Sequence, residues 1–293
     1  MNSKPAGAAA PIRSPWKSLA GHMWRDRLAM LGLILVVLIV GSAVLAPLIT
    51  PHDPNKINVR YRLKGPSADH LLGTDQLGRD VFSRIIMGSR IALQVALISI
   101  SIAGSCGLLL GMLAGYGPKW LDGALVVLFD TVRSFPTIMF ALAVVTLMGP
   151  DLNTVILVVI VTSIPVYGRI VRTQTQALRN NEFIMAERAM GAGTARVLAV
   201  HMLPNVIGPL LIIASMDIPV VVTIEAGLSF LGLGVRPPTA SWGTILNDGY
   251  AFIRNSPWLV IAGGAPLILT TLGFTFLGEA LRDVFDPKLR REI

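Results

Sequence analysis

Long apolar runs with almost no charge recur along this chain. A helix that crosses the hydrocarbon core of a bilayer needs about 20 apolar residues. Suitable runs cover residues 28–49, 91–114, 124–148, 152–167, 206–226 and 258–277. They do not alternate apolar with polar residues, as the strands of a membrane β-barrel do. The sequence therefore predicts an all-α integral membrane protein with about six transmembrane helices.

Composition supports this prediction. Hydrophobic residues make up 53% of the 293 residues and charged residues only 14%, whereas soluble domains carry about a quarter charged residues. The net charge of +8 comes from Lys and Arg located between the apolar runs, which favours lipid headgroups over nucleic acid. The first run is longer than the 7–15 residues usual in a signal peptide, so we expect it to be a retained span.

The basic residues also predict an orientation. They are more numerous in segments 1–27, 115–123, 168–205 and 278–293 than in the segments on the other side, so the positive-inside rule places the N-terminus in the cytoplasm. The predicted organisation is a cytoplasmic tail (1–27), a first transmembrane helix (28–49), an external loop (50–90), a main transmembrane domain (91–280) and a second cytoplasmic tail (281–293).

Two external segments are long, residues 50–90 and 227–257. The first ends in a pattern that predicts an amphipathic helix in the membrane interface; its apolar face holds Val81, Phe82, Ile85 and Ile86, opposite Arg79, Asp80, Ser83 and Arg84. The second contains Trp242, Tyr250 and Phe252, with Trp258 following it. An interfacial aromatic belt is one of two open interpretations of these four aromatic residues.

The internal loop 169–205 is too long to lack structure of its own. Its pattern predicts one helix over residues 172–190, a break at Gly191 and Gly193, and a second helix capped by Thr194. Pro204 suits the first turn of the next span. The resulting helical elbow could anchor in lipid headgroups or dock in a groove of a soluble partner, and the residues alone leave both options open.

The elbow resembles the coupling loop of bacterial ABC-importer permeases. Their motif reads Glu-Ala-Ala, three residues, Gly, and later Leu-Pro; here Met185 stands at the Glu and Glu187 at the second Ala. The resemblance implies that the following residues contact an ATPase: Glu182, Phe183, Met185, Ala186, Glu187, Arg188, Gly191, His201, Leu203 and Pro204.

Three more segments, 70–84, 228–243 and 281–289, are similar to the permeases of peptide importers. The likeness is closest to the second, C-type permease of dipeptide, oligopeptide and nickel importers. It implies half of a translocation pathway for peptides or a similar small solute in a bacterial inner membrane. It also implies a homologous second permease, one or two cytoplasmic ABC ATPase subunits that use ATP and Mg²⁺, and an extracytoplasmic solute-binding protein. No cofactor is expected on this chain.

The sequence lacks several catalytic patterns. There is no phosphate-binding Gly-x-x-x-x-Gly-Lys-Ser/Thr loop, no Gly-x-Ser-x-Gly and no His-Glu-x-x-His. The four histidines lack metal-ligand spacing, so the sequence predicts no metal site. They are His22, His52, His70 and His201. A membrane-embedded enzyme would need clustered histidines or acids, so the sequence argues against one.

Charged residues within spans are functional candidates by default because their burial in lipid is costly. Asp217 and Glu225 are candidates for lining a polar pathway, whereas Asp130 and Arg133 are expected to pair with each other. Glu279 and Asp283 are interpreted as structural. An ion-gradient-driven secondary transporter remains the alternative function; it would work alone and usually shows inverted repeats, and no such repeat is evident.

Overall fold

The computed structural model describes residues 26–285 of the chain. Most of the predicted N-terminal tail, including His22, lies outside these residues. So do positions 286–289 of the segment that resembles the C-terminal end of peptide-importer permeases.

The described part of the chain is helical and contains no β-strand. One short 3-10 helix, Val59–Tyr61, lies in the external loop. The helices are α1 (Arg27–Ile49), α2 (Val81–Tyr116), α3 (Lys119–Arg133), α4 (Thr137–Met148), α5 (Leu152–Arg179), α6 (Glu182–Ala189), α7 (Thr194–Phe230), α8 (Trp242–Ala251) and α9 (Trp258–Phe285). Within α7, residues Val197–Met202 are π-helical.

Five of these helices are long and apolar enough to cross a membrane, and the pair α3 and α4 could form a sixth, bent span. This confirms the prediction of an all-α protein with about six spans. The third span was expected to be continuous, but its two helices meet at 83°. Pro136 at the bend has no backbone N–H and keeps Phe135 from continuing the helix. The sequence suggested an ion pair between Asp130 and Arg133. In the structure Asp130 pairs instead with Arg169 of α5.

The expected interfacial helix before the second span is not a separate element. Residues 81–90 form the first turns of α2, whose 36 residues extend for about 54 Å. Asp80 caps this helix by accepting a hydrogen bond from the Ser83 N–H at 2.8 Å. Val81, Ser83 and Arg84 are all at most 2% exposed. These turns pack inside the bundle, so they cannot lie on a lipid surface.

Glycines bring α2 and α5 into backbone contact. Gly107, Gly111 and Gly115 lie four residues apart on the face of α2 that meets α5. A Cβ atom added to Gly111 would lie 2.5 Å from the carbonyl oxygen of Gly168 and 2.7 Å from Cβ of Val171. Small residues at this spacing allow membrane helices to approach closely. They make α2 and α5 the central pair of the bundle.

The segment 227–257 folds onto the first turns of α2. Its helix α8 begins with a capping box formed by Ser241 and Thr244. Trp242 is 1% exposed, and its indole N–H donates a hydrogen bond to the Ile85 carbonyl of α2 at 3.0 Å. For Trp242 the interpretation as an interfacial belt residue is therefore wrong, because the side chain belongs to the protein core.

Candidate functional site

The predicted elbow exists, but its boundaries differ from those expected. Helix α5 runs to Arg179, so residues 172–179 belong to the span and not to the elbow. Asn180 and Asn181 separate it from α6, and Asn181 has an extended backbone (φ −71°, ψ 144°). The predicted single helix 172–190 is therefore wrong. Asn disfavours helix interiors because its side chain competes for backbone hydrogen bonds.

The turn after α6 depends on glycine, as predicted. Gly191 has φ +87°, a conformation that residues with a Cβ atom rarely adopt. Thr194 does not cap the second helix, because it is already the first helical residue and Gly193 occupies the N-cap position. The α-helical part Leu203–Phe230 carries a proline in its first turn, which confirms the placement of Pro204. Pro204 has no backbone N–H to donate to the preceding turn. That turn, Val197–Met202, is π-helical, which accommodates the missing hydrogen bond.

The inner face of the elbow packs firmly onto the bundle. Ile184 of α6 and Val197 and Met202 of α7 are fully buried in the main hydrophobic core. Glu187 and His201 also face each other across the elbow, with 3.4 Å between Oε2 and Nε2. None of these three residues is at a motif position for which the resemblance implies contact with an ATPase. These contacts fix the angle between α6 and the start of α7.

The outer side of the elbow carries four exposed apolar residues beside charged ones. Phe183, Met185 and Met190 are 45%, 51% and 75% exposed, and Ala186 is also exposed. We call these four residues the elbow face. Glu182 and Arg188 are exposed beside it. Large apolar side chains on a rigid, protruding element are typical of a surface that a partner or a lipid layer covers.

The two acids proposed to line a pathway have different environments. Asp217 is half-buried in α7 and accepts a hydrogen bond at 2.8 Å from the hydroxyl of Tyr167 in α5. Glu225 is fully buried and accepts a hydrogen bond at 2.7 Å from the Ser229 hydroxyl one turn later. Because the segment at Gly243 packs over this turn of α7, Glu225 does not line an open surface in this structure. Asp217 remains a candidate.

A buried ion-pair network joins the two external segments. Arg79 donates to Asp75 at 2.6 Å and to Asp248 of α8 at 3.3 Å. Arg84 lies 3.5 Å from the same Asp75 carboxylate. Arg79, Arg84 and Asp248 border a cavity of about 540 Å³, which Arg236 also lines. The sequence showed these charges but not their partners. The network fastens the segment 50–90 to α8.

The histidines are less scattered than the sequence indicated. The rings of His52 and His70 lie 4.8 Å apart between centroids. Nδ1 of His70 is 2.9 Å from Oδ1 of Asp80. Turns at Gly73 (φ +71°) and Gly78 (φ +72°) fold the external loop so that these residues meet.

A membrane-crossing helical bundle with an exposed helical elbow is the architecture expected of a transmembrane subunit that works with other proteins. Comparison with known proteins identifies which kind. Residues 107–291 match the family described as binding-protein-dependent transport system inner membrane component. Residues 14–66 match the N-terminal TM domain of oligopeptide transport permease C. The chain belongs to this family of inner-membrane transport components.

Relatives that align over almost the full length of this chain support the same family assignment. A dipeptide transport system permease protein of Alkalihalophilus pseudofirmus is 37% identical over 99% of this chain and 95% of its own length. A di/tripeptide transport system permease protein of Pseudomonas aeruginosa is 36% identical over 96% and 93%. A glutathione transport system permease protein of Pectobacterium atrosepticum is 37% identical over 95% and 93%.

The fold is similar to that of a solved importer subunit. An inward-facing structure of the MetNI methionine ABC transporter aligns with a TM-score of 0.58 and 19% identity, over 69% of this chain and 96% of that one. The protein is thus a multi-pass inner-membrane permease subunit of an ABC importer. This excludes the alternative of a secondary transporter. Permease components of this family are not themselves catalytic, and the family implies ATPase and substrate-binding partners.

Proposed function

We propose that this chain forms half of a peptide translocation pathway that cytoplasmic ATPases open and close through the elbow. A homologous second permease completes the pathway, and one or two ABC ATPase subunits bind ATP and Mg²⁺. An extracytoplasmic binding protein delivers the solute to the external segments. The nucleotide is bound by the ATPase subunits and not by this chain.

The observation that carries the proposal is the two-sided elbow. Its inner face, with Ile184 and Met202 at 0% exposure, is part of the protein core, whereas Met190 on the elbow face is 75% exposed. An apolar helix face on a rigid support suits docking into a groove of a soluble protein. A push on α6 would pass directly into α7, which carries Asp217. The exposed residues of α6 would contact the ATPase, while His201, Leu203 and Pro204 support them; these exposed residues are Glu182, Phe183, Met185, Ala186 and Arg188.

Two further points support the assignment of sides and solute. The segments that include the elbow are the more basic ones, which supports a cytoplasmic location for the elbow and the N-terminus. The relatives at 36–37% identity are named as dipeptide, di/tripeptide and glutathione permeases, which supports a short peptide as the solute.

The experiment compares two glycines of the elbow. Gly191→Val forces a β-branched residue into φ +87°, a left-handed conformation that costs about 1–2 kcal/mol. Gly193 has φ −68° and ψ 156°, which valine adopts readily. An added Cβ meets nothing within 4 Å at either position, so neither variant creates a clash. The two differ only in backbone strain.

We expect the assembled importer, reconstituted in vesicles, to show about tenfold slower peptide uptake with Gly191→Val, since about 1.4 kcal/mol changes an equilibrium tenfold. Gly193→Val should import normally. Both variants should insert and assemble with the other subunits, as judged by co-purification. Normal uptake by Gly191→Val, or uptake by this chain alone without an ATPase, would refute the proposal.

A further inference from the structure

Three side chains of the segment 50–90 lie close together and have no role in the proposed transport mechanism. His52 follows the end of α1, His70 lies in the middle of the loop, and Asp80 caps α2. One ligand atom from each residue lies within 4.8 Å of the other two. Two imidazoles and one carboxylate form a donor set that suits Zn²⁺ and related first-row ions.

The second nitrogen of His52 is already held. Its Nε2 lies 2.7 Å from the Asp69 carbonyl oxygen, which can only accept a hydrogen bond. Nε2 therefore carries the proton, and Nδ1 of the neutral ring keeps its lone pair. A backbone carbonyl that fixes one ring nitrogen is the usual support for an imidazole whose other nitrogen binds a metal.

His70 and Asp80 are close to the spacing that an ion requires. Ligands at about 2.1 Å from a tetrahedral ion lie about 3.4 Å from one another, and His70 Nδ1 and Asp80 Oδ1 are 2.9 Å apart. The third ligand atom, which lies within 4.8 Å of the other two, needs to approach by up to about 1.4 Å. His52 can supply this movement because it is exposed, whereas His70 and Asp80 are 15% and 1% exposed at their side chains.

The charge around the three residues favours a cation. They border a pocket of about 290 Å³ that is also lined by Asp53, Asp69 and Lys56. Three aspartates and one lysine therefore line this pocket. An ion pair between His70 and Asp80 alone would explain one of the contacts, but not the placement of His52 against both the His70 ring and the Asp69 carbonyl.

We propose that His52, His70 and Asp80 bind one divalent transition-metal ion of the Zn²⁺ type. The ion ties the chain just after α1 to the first residue before α2. It would act as a clasp that holds the external loop against the bundle. This inference is independent of the transport function, because it concerns only residues of this chain on the external surface.

The test is calorimetric titration of Zn²⁺ into the purified full-length chain, prepared without a polyhistidine tag. We expect saturable binding of one ion. His52→Ala should weaken it at least about tenfold, since even loss of an outer-shell partner typically costs 10–100-fold. Asp80→Ser should also weaken it; serine keeps the helix cap and removes the carboxylate, so this variant still folds.

His201→Ala is the matched control, because His201 lies in the elbow beside Glu187 and away from the cluster. It should bind Zn²⁺ like the wild type. A wild-type chain that shows no saturable binding would overturn the proposal. So would equal affinities for the wild type and for His52→Ala, with circular dichroism and size-exclusion profiles confirming that each variant is folded.

Discussion

The contact between α2 and α5 gives the sharpest test of how the bundle is held together. Replacing Gly111 with alanine places a Cβ atom 2.5 Å from the Gly168 carbonyl oxygen and 2.7 Å from Cβ of Val171. Normal contact with the oxygen begins at about 3.4 Å, so the two backbones would have to separate by about 0.9 Å. A flexible side chain could move away, but the backbone of a packed helix cannot do so cheaply.

The same helix provides a matched control. Gly104 is also buried in α2, but a Cβ atom added there meets nothing within 4 Å. Both substitutions gain the same helix propensity, about 1 kcal/mol, and this gain cancels in the comparison. The remaining difference is the cost of overpacking at Gly111, typically about 1–3 kcal/mol. Gly104→Ala should therefore be at least as stable as the wild type. Gly111→Ala should be clearly less stable than Gly104→Ala.

The assay is unfolding of the full-length protein in detergent, followed by circular dichroism during a thermal or denaturant titration. We expect the Gly111→Ala midpoint to lie below that of Gly104→Ala, with a free-energy difference of about 1–3 kcal/mol. Equal midpoints for the two variants would refute the reasoning. They would mean that α2 and α5 can separate at no cost and that glycine is not required at their contact.

Three further substitutions test single interactions. Trp242→Phe removes the hydrogen bond to the Ile85 carbonyl and part of a buried ring, and should lower unfolding stability by about 1–3 kcal/mol; an unchanged midpoint would place the indole outside the core. Ser241→Ala removes the cap of α8 and should cost about 1 kcal/mol in the same assay, with Ser241→Asn as the conservative control. Tyr167→Phe frees the Asp217 carboxyl; stability should fall by only about 0.6 kcal/mol while uptake by the assembled importer decreases, and unchanged uptake would argue against a pathway role for Asp217.

Hydropathy predicted the spans but not where their helices end. The apolar run read as residues 91–114 belongs to a helix that begins at Val81. Its first turns carry Ser83 and Arg84 opposite an apolar face, and this amphipathic pattern predicted an interfacial helix. The partner of Arg84 is Asp75, nine residues earlier in a loop. Only the folded loop shows that the charge is compensated inside the protein.

Local chemistry was informative where a backbone constraint was involved. The elbow turn at Gly191 and the proline in the first turn of the last part of α7 were both predicted and are present. Pro136 signals a break in the same way, but the apolar residues around it outweighed that signal. Long-range packing was not predictable. The sequence does not show that the segment at Gly243 packs against the turn of α7 that carries Glu225.

The unbroken length of α2 links the two surfaces of the protein mechanically. This helix begins in the external ion-pair network and is about 54 Å long, whereas the hydrocarbon core is about 30 Å thick. A rod of this length that tilts by about 5° around one end moves its other end by about 5 Å. Because the glycine contact holds α5 against it, both helices would swing together. A protein that displaces the N-terminal end of α2 would thus move the opposite end of the bundle, without any intermediate hinge.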